Sequence, residues 1–264
     1  MLKTKIINTV AFAAMISVNL LANIIPIGGN TTAEVSEKYS NLFTPAPLTF
    51  AIWGVIYIML AAFIIYQLNL SKRSDYAEEI GEKTRNWFVI SCILNIAWIL
   101  TWHFNLTGLS VIMIVGMLFS LIMIMKKINN SQYSLAGRVF VKAGFEIYLG
   151  WILAASIANI CVFAVRAGIK GTGSFASVCT ALLLIAGALL GSYISVHYKS
   201  LLSLAAISWA YIGIIIRHLS ASGFKGSYPV VYITAICSIV FMIITCIYAS
   251  IKQKENSRNF VVMN

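Results

Sequence analysis

Acidic side chains are nearly missing from this sequence: there are eight Asp and Glu in 264 residues, and charged residues of all kinds make up only 10% of the chain. A soluble domain carries about 25% charged residues, so the chain has too little charge to coat a water-facing surface. Catalytic signatures are missing too. There is no H-E-x-x-H, no Walker-type phosphate loop, no G-x-S-x-G and no C-x-x-C-H, which leaves no recognisable nucleophile or metal set. The five cysteines (Cys92, Cys161, Cys179, Cys237 and Cys246) all lie in apolar runs and never at C-x-x-C spacing, which favours small packing residues over metal or redox chemistry. The reading is therefore of a non-enzymatic protein.

What is abundant is apolar surface: 60% of the residues are hydrophobic and the mean hydropathy is +0.88. At about 20 residues per membrane helix, the length accommodates roughly eight spans with short loops. The fold class expected is all-α, a polytopic membrane helical bundle. The N-terminus has basic residues at Lys3 and Lys5 and an apolar stretch over 6–27. That stretch passes through Asn19 and Asn23 and lacks a small-x-small cleavage site, so it reads as a retained first helix rather than a signal peptide.

Charged or Gly/Asn/Ser/Pro-rich breaks place spans at 6–27, 48–70, 87–104, 108–125, 139–165, 175–197, 200–217 and 229–251. Eight spans put both ends of the chain on one side. Of the nineteen basic residues, fourteen then fall on that side and five (Lys38, Arg166, Lys170, Arg217, Lys225) on the other. Lys and Arg collect in cytoplasmic loops, so both termini are expected in the cytoplasm and the protein in a bacterial cytoplasmic membrane. The net charge of +11 becomes a topological signal, with the lipid bilayer and not nucleic acid as the partner. The longest loops are 28–47, outside, and 71–86, inside and mixed in charge.

Ionisable groups inside a span are costly and are functional candidates. Only Glu146 qualifies among the carboxylates, and Lys142 precedes it by four residues, so an ion pair on one helix face competes with a proton-coupling role. His103, His197 and His218 each fall near a predicted helix end, where anchoring is the plainer role and haem ligation the sharper one.

Large aromatic and amide side chains recur at helical spacing. Phe50, Trp53 and Tyr57 share a face of the second span; Asn95, Trp98 and Trp102 do so on the third; Tyr148, Trp151, Ala155 and Asn159 on the fifth. An amide facing lipid with its donors unmet costs several kcal/mol by order of magnitude, so Asn95 and Asn159 must face protein or a cavity, and the rings on their faces point inward with them. Such stripes either bound a flat apolar cavity suited to a planar aromatic molecule or pack closely around Ala51, Gly54, Ala97 and Ala155.

Three of these stretches resemble the motifs of one family. Leu94-Asn95-Ile96-Ala97-Trp98 is similar to the Leu-Asn-x-x-Trp signature of the TspO/MBR family, the tryptophan-rich sensory and translocator proteins. Tyr148-x-x-Trp151-x-x-x-Ala155-x-x-Ala158-Asn159 resembles its fifth-helix pattern, with Ala158 where the pattern has Leu and Ile147 where it has a preceding Pro. Pro45 and Pro47 ahead of Phe50, Trp53 and Tyr57 resemble its second-helix motif, with one residue fewer between Phe50 and Trp53.

The resemblance covers about residues 1–165. It implies a five-helix core that binds a tetrapyrrole, porphyrin or haem, as ligand rather than as a required cofactor, in a sensing or regulatory role, in some members as a homodimer. Carried over by position, Trp53, Tyr57, Asn95, Trp98, Tyr148, Trp151 and Asn159 are the ligand-binding residues, and no metal site is implied. The family's sterol pattern needs a Tyr that Val162-Phe163-Ala164-Val165-Arg166 lacks. The alternative is a transporter or permease-like carrier of a small hydrophobic molecule.

Residues 166–264 then add three helices. Gly187 and Gly191, at small-x-x-x-small spacing, are expected to pack against the core or a second copy. Trp209, Tyr211 and His218 are candidates for a second site. The tail from Lys252 is polar and basic, suited to anionic headgroups.

Overall fold

The computed structural model describes residues 2–25, 27–68, 75–129 and 137–262. Lys72 and Arg73, counted above for orientation, lie outside the described residues, and so do the side chains of the tail's Lys254 and Arg258. Helices run over Leu2–Ile24 (α1), Thr32–Lys38 (α2), Ile52–Leu68 (α3), Asp75–His103 (α4), Thr107–Asn129 (α5), Ala143–Arg166 (α6), Ser174–Tyr198 (α7), Leu201–Leu219 (α8) and Pro229–Val262 (α9). A 3₁₀ turn, Pro47–Ala51, leads into α3, and a π turn, Arg138–Lys142, leads into α6. Among the described residues there is no strand, and eight helices are long and apolar enough to cross a membrane.

Two expectations about connections are corrected. The stretch 75–86, read as part of a loop, is the first three turns of α4. It is a charged helix laced by Lys83–Glu79 and Arg85–Glu82 pairs at i, i+4 and i, i+3 spacing, so low hydropathy ended the predicted span without ending the helix. The 28–47 loop contains α2, whose N-terminus carries a capping box. The Glu34 amide donates to the Thr31 hydroxyl, and the Thr31 amide donates to the Glu34 carboxylate.

α4 packs between α1 and α5, α6 against α5 and α8, and α9 covers α7 and α8. Apolar side chains such as Ile58, Leu182 and Ile244 point outward, whereas Asn8, Asn95, Ser110 and Ser195 are fully enclosed. This is the arrangement a bilayer imposes, since polar groups must find partners inside the bundle.

α6 and α8 approach with their backbones nearly touching: a Cβ on Gly150 would run into the backbone of Ser203. The Gly187/Gly191 stripe packs within the chain, Gly187 against Tyr211 and Ile157 and Gly191 against Ile207 and Leu153. Gly54 and Ala51, by contrast, face outward, and nothing lies near Gly54.

Candidate functional site

The lead-in to α3 is held by α8. Pro45 and Pro47 have no N–H to donate, and the Ala46 N–H between them donates to the Gly213 carbonyl at 2.9 Å. Trp209 Nε1 donates to the Thr49 carbonyl at 2.9 Å, and a Cβ on Gly213 would collide with the Thr49 side chain. Glycine there allows the two segments to meet, and the contact turns Phe50 and Trp53 toward α6.

The three stripes converge. Trp53 stacks on Tyr57 (ring centroids 5.4 Å apart) and on Trp98 (5.5 Å), and Trp98 stacks on Trp102 (6.2 Å). Trp151 meets Trp53 and Phe50 edge to face, at 6.3 and 6.0 Å. These distances lie in the favourable range for aromatic pairs.

Beside the stack is a cavity. α2 contributes Thr32 and Ser36, the following segment Phe43 and Pro45, and the α3 side Phe50 and Trp53. α4 contributes Trp98 and Trp102; α6 contributes Trp151, Ala154, Ala155, Ala158 and Asn159; α8 contributes Ala210 and Ile214. Its walls enclose about 490 Å³ counting the open mouth, but only about 30 Å³ is wide enough for water, on the order of one or two molecules. A drug-sized ligand needs roughly 300–1,000 Å³, so the cavity is too narrow as it stands and its walls must part to admit one.

Of the residues singled out by spacing and resemblance, Trp53, Trp98, Trp151 and Asn159 line this cavity. Tyr57, Asn95 and Tyr148 do not. They form a hydrogen-bonded layer deeper in the bundle, with Asn19 of α1 at its centre. Tyr57 Oη donates to Asn19 Oδ1 (2.7 Å), Asn19 Nδ2 to Asn95 Oδ1 (2.6 Å), and Asn95 Nδ2 to Tyr148 Oη (3.0 Å). Tyr148 Oη then donates to Met117 Sδ at 2.9 Å. The layer joins α1, α3, α4, α5 and α6 and forms the floor on which the aromatic stack stands, with its polar groups turned on one another.

Within the cavity wall most polar groups are likewise occupied. Trp98 Nε1 donates to Asn159 Oδ1 at 3.1 Å, Asn159 Nδ2 donates to the Ala155 carbonyl, and the Ser110 hydroxyl lies between the Thr107 carbonyl at 2.9 Å and Asn159 Oδ1 at 3.1 Å. Trp102 Nε1 donates to the Thr32 carbonyl. Trp151, 3% exposed, differs from these: its indole N–H is buried without a partner.

At the rim, Arg217 Nη1 donates to Glu37 Oε1 at 2.9 Å, joining α8 to α2. Glu34, on the exposed face of α2, is held below the usual carboxylate range by the backbone N–H and then the hydroxyl of Thr31.

Glu146 lies elsewhere, at the far end of α6. Its Oε2 accepts the backbone N–H of Leu202 at 2.9 Å, and Lys142 Nζ stands 3.6 Å from Oε1. The Leu202 amide is in the first turn of α8, where N–H groups lack helical partners and a carboxylate is favoured. The carboxylate therefore fastens α6 to the start of α8.

Trp209, Tyr211 and His218 do not assemble a second site. Trp209 reaches Thr49, Tyr211 Oη donates to the Leu184 carbonyl, and His218 Nδ1 bonds the Ile214 carbonyl. His103 Nδ1 bonds the Ile99 carbonyl and does not face the cavity. Among the described residues no group of three or more His, Cys, Asp or Glu could hold a metal.

Spacing did not single out Thr32, Ser36 and Phe43, nor Ala210 and Ile214. Thr31-x-x-Glu34 is a capping-box signal that places α2; nothing local marks Ala210 or Ile214 as cavity residues.

Fold and site together define an integral membrane protein with eight apolar helices among the described residues and a tryptophan-lined cavity between α2, α3, α4, α6 and α8. Residues 5–248 match the family model described as TSPO-like protein, and the chain belongs to that family. The match spans the aromatic core and continues through α7, α8 and most of α9. Comparison with curated proteins and with solved structures finds no match.

Proposed function

We propose that this TSPO-like membrane protein binds a planar hydrophobic ligand, a tetrapyrrole such as porphyrin or haem, in the tryptophan cavity and serves as its sensor. The observation that carries the reading is Trp151. A buried N–H without a partner costs about 1–3 kcal/mol, and this one belongs to a wall in which the Trp98 and Trp102 indoles are hydrogen-bonded, beside the Trp53–Trp98–Trp102 stack. A flat ligand carrying an acceptor atom satisfies both the stack and the orphaned donor.

Ala158 supports the same reading. It lines the cavity where the related pattern has a larger Leu, so this chain keeps room beside Asn159. The orientation proposed is both termini cytoplasmic, with α2 and the cavity mouth on the opposite face. Residues 1–165 would supply the aromatic core and residues 166–264 its outer wall.

The experiment is quenching of tryptophan fluorescence in the purified protein titrated with protoporphyrin IX and with haemin. Saturable quenching is expected, and it should weaken by about ten-fold or more in Ala158→Leu, which fills the space. Absence of saturable quenching by either compound overturns the ligand.

A further inference from the structure

We infer that Arg217 selects an anionic ligand for the cavity by exchanging its partner Glu37 for an acidic group on that ligand. The inference rests on the cavity being the ligand site. Arg217 stands one helical turn beyond Ile214 on α8, and Glu37 follows Ser36 on α2. Ile214 and Ser36 both line the cavity, so the ion pair sits on its rim, with side chains 21% and 37% exposed.

Among the unmet groups at this end are Thr44 Oγ1, which can donate or accept, and His218 Nε2, but the two at the cavity wall and its rim are donors. Arg217 Nε is buried without a partner, and so is Trp151 Nε1. Both are donors, so the group that completes the site brings acceptors. A guanidinium presents five N–H groups in a planar fork matched to two oxygens of a carboxylate. Glu37 takes a single bond to Nη1 and leaves the buried Nε without a partner.

Charge points the same way. Lys38, Arg166, Lys170 and Lys225 lie in the segments at this end of the bundle, against Glu34 and Glu37. Glu34 is already engaged with Thr31. An anion is therefore drawn to the mouth and meets Arg217 there.

The exchange also addresses the narrowness of the cavity. An acid that takes Arg217 frees Glu37, and with it the Ser36 end of α2. The side-chain ties just past that end run through Tyr39 Oη, which donates to Asn105 at 3.2 Å and accepts from Arg166 Nη1 at 3.5 Å. The Thr32 end stays anchored through Trp102 and Asn23.

The test titrates the full chain in detergent with protoporphyrin IX, a dicarboxylic acid, and with its dimethyl ester, which keeps the ring and removes the charge. The wild-type protein is expected to bind the acid about ten-fold or more tighter than the ester. Arg217→Gln should weaken the acid alone until the two bind alike. Glu37→Gln, which removes the competitor, should tighten the acid. Comparing acid with ester inside each variant cancels any general loss of fold.

Equal binding of acid and ester by the wild type overturns the inference while leaving the cavity as a porphyrin site. So does an Arg217→Gln variant that weakens both forms equally or neither. If neither form binds the wild type, the porphyrin reading itself falls, and this inference with it.

Discussion

Trp98 and Asn159 meet across α4 and α6 at 3.1 Å, indole N–H to amide oxygen, and this bond sets the plane of the central ring in the aromatic stack. Removing the amide in Asn159→Leu strands Trp98 Nε1 in an enclosed wall, whereas Ser110 Oγ keeps the Thr107 carbonyl at 2.9 Å. The expected cost is about 1–3 kcal/mol in thermal or denaturant unfolding. Trp98→Phe combined with Asn159→Leu should cost less than the two changes added together, because no indole N–H is then left waiting. Strict additivity would show that the bond contributes nothing.

Glu146 separates a structural carboxylate from a proton carrier. Glu146→Gln keeps an oxygen for the Leu202 amide and should hold stability within about 1 kcal/mol of the wild type. Glu146→Leu leaves that amide and Lys142 unanswered and should cost about 1–3 kcal/mol. Substrate flux in proteoliposomes that Glu146→Gln abolishes would point instead to an ion-coupled carrier.

Gly150 permits the contact of α6 with α8, so even a methyl group there must push the two helices apart. Gly150→Ala is expected to destabilise at the upper end of the usual overpacking range of about 1–3 kcal/mol. It should also disturb tryptophan emission, because Trp151 is the next residue. Gly54→Ala, whose new methyl meets nothing, is the control and should stay within about 0.5 kcal/mol.

The Thr31–Glu34 capping box gives α2 a pH dependence of known sign. The Glu34 carboxyl is held below its usual range in the folded protein, so its contribution is present above the unfolded value and is lost as pH falls through the folded one. Amide hydrogen exchange across α2, corrected for its intrinsic pH dependence, should therefore quicken in acid below the ordinary carboxylate range. In Glu34→Gln, which keeps an N3 side-chain acceptor, that acid response should disappear.

The spans were legible because hydropathy marks them directly, and the ends moved most where charge lies on helix, as in the Asp75–Asn86 turns of α4. The inward stripes were legible because Asn95 and Asn159 cannot face lipid. Spacing alone could not divide those stripes between the cavity and the floor beneath it. Tyr57 and Tyr148 share helix faces with Trp53 and Trp151, but the Tyr57 hydroxyl is drawn to Asn19 on α1 and the Tyr148 hydroxyl to Asn95 and Met117, away from the cavity. Ala210 and Ile214 were hidden for a related reason, since a small residue on a distant helix carries no local mark of what it will face.

The bond from Ala46 N–H to the Gly213 carbonyl also orders events in time. The ribosome delivers the chain from its N-terminus at about 5–20 residues per second, so the Pro45–Pro47 segment emerges long before Leu201–Leu219 exists to receive it. Until α8 arrives, Ala46 has no Gly213 carbonyl to bond, the indole of Trp209 is not there to meet Thr49, and the cavity lacks the wall formed by Ala210 and Ile214. The chamber opened by the earlier aromatic helices is sealed only once α8 has been made.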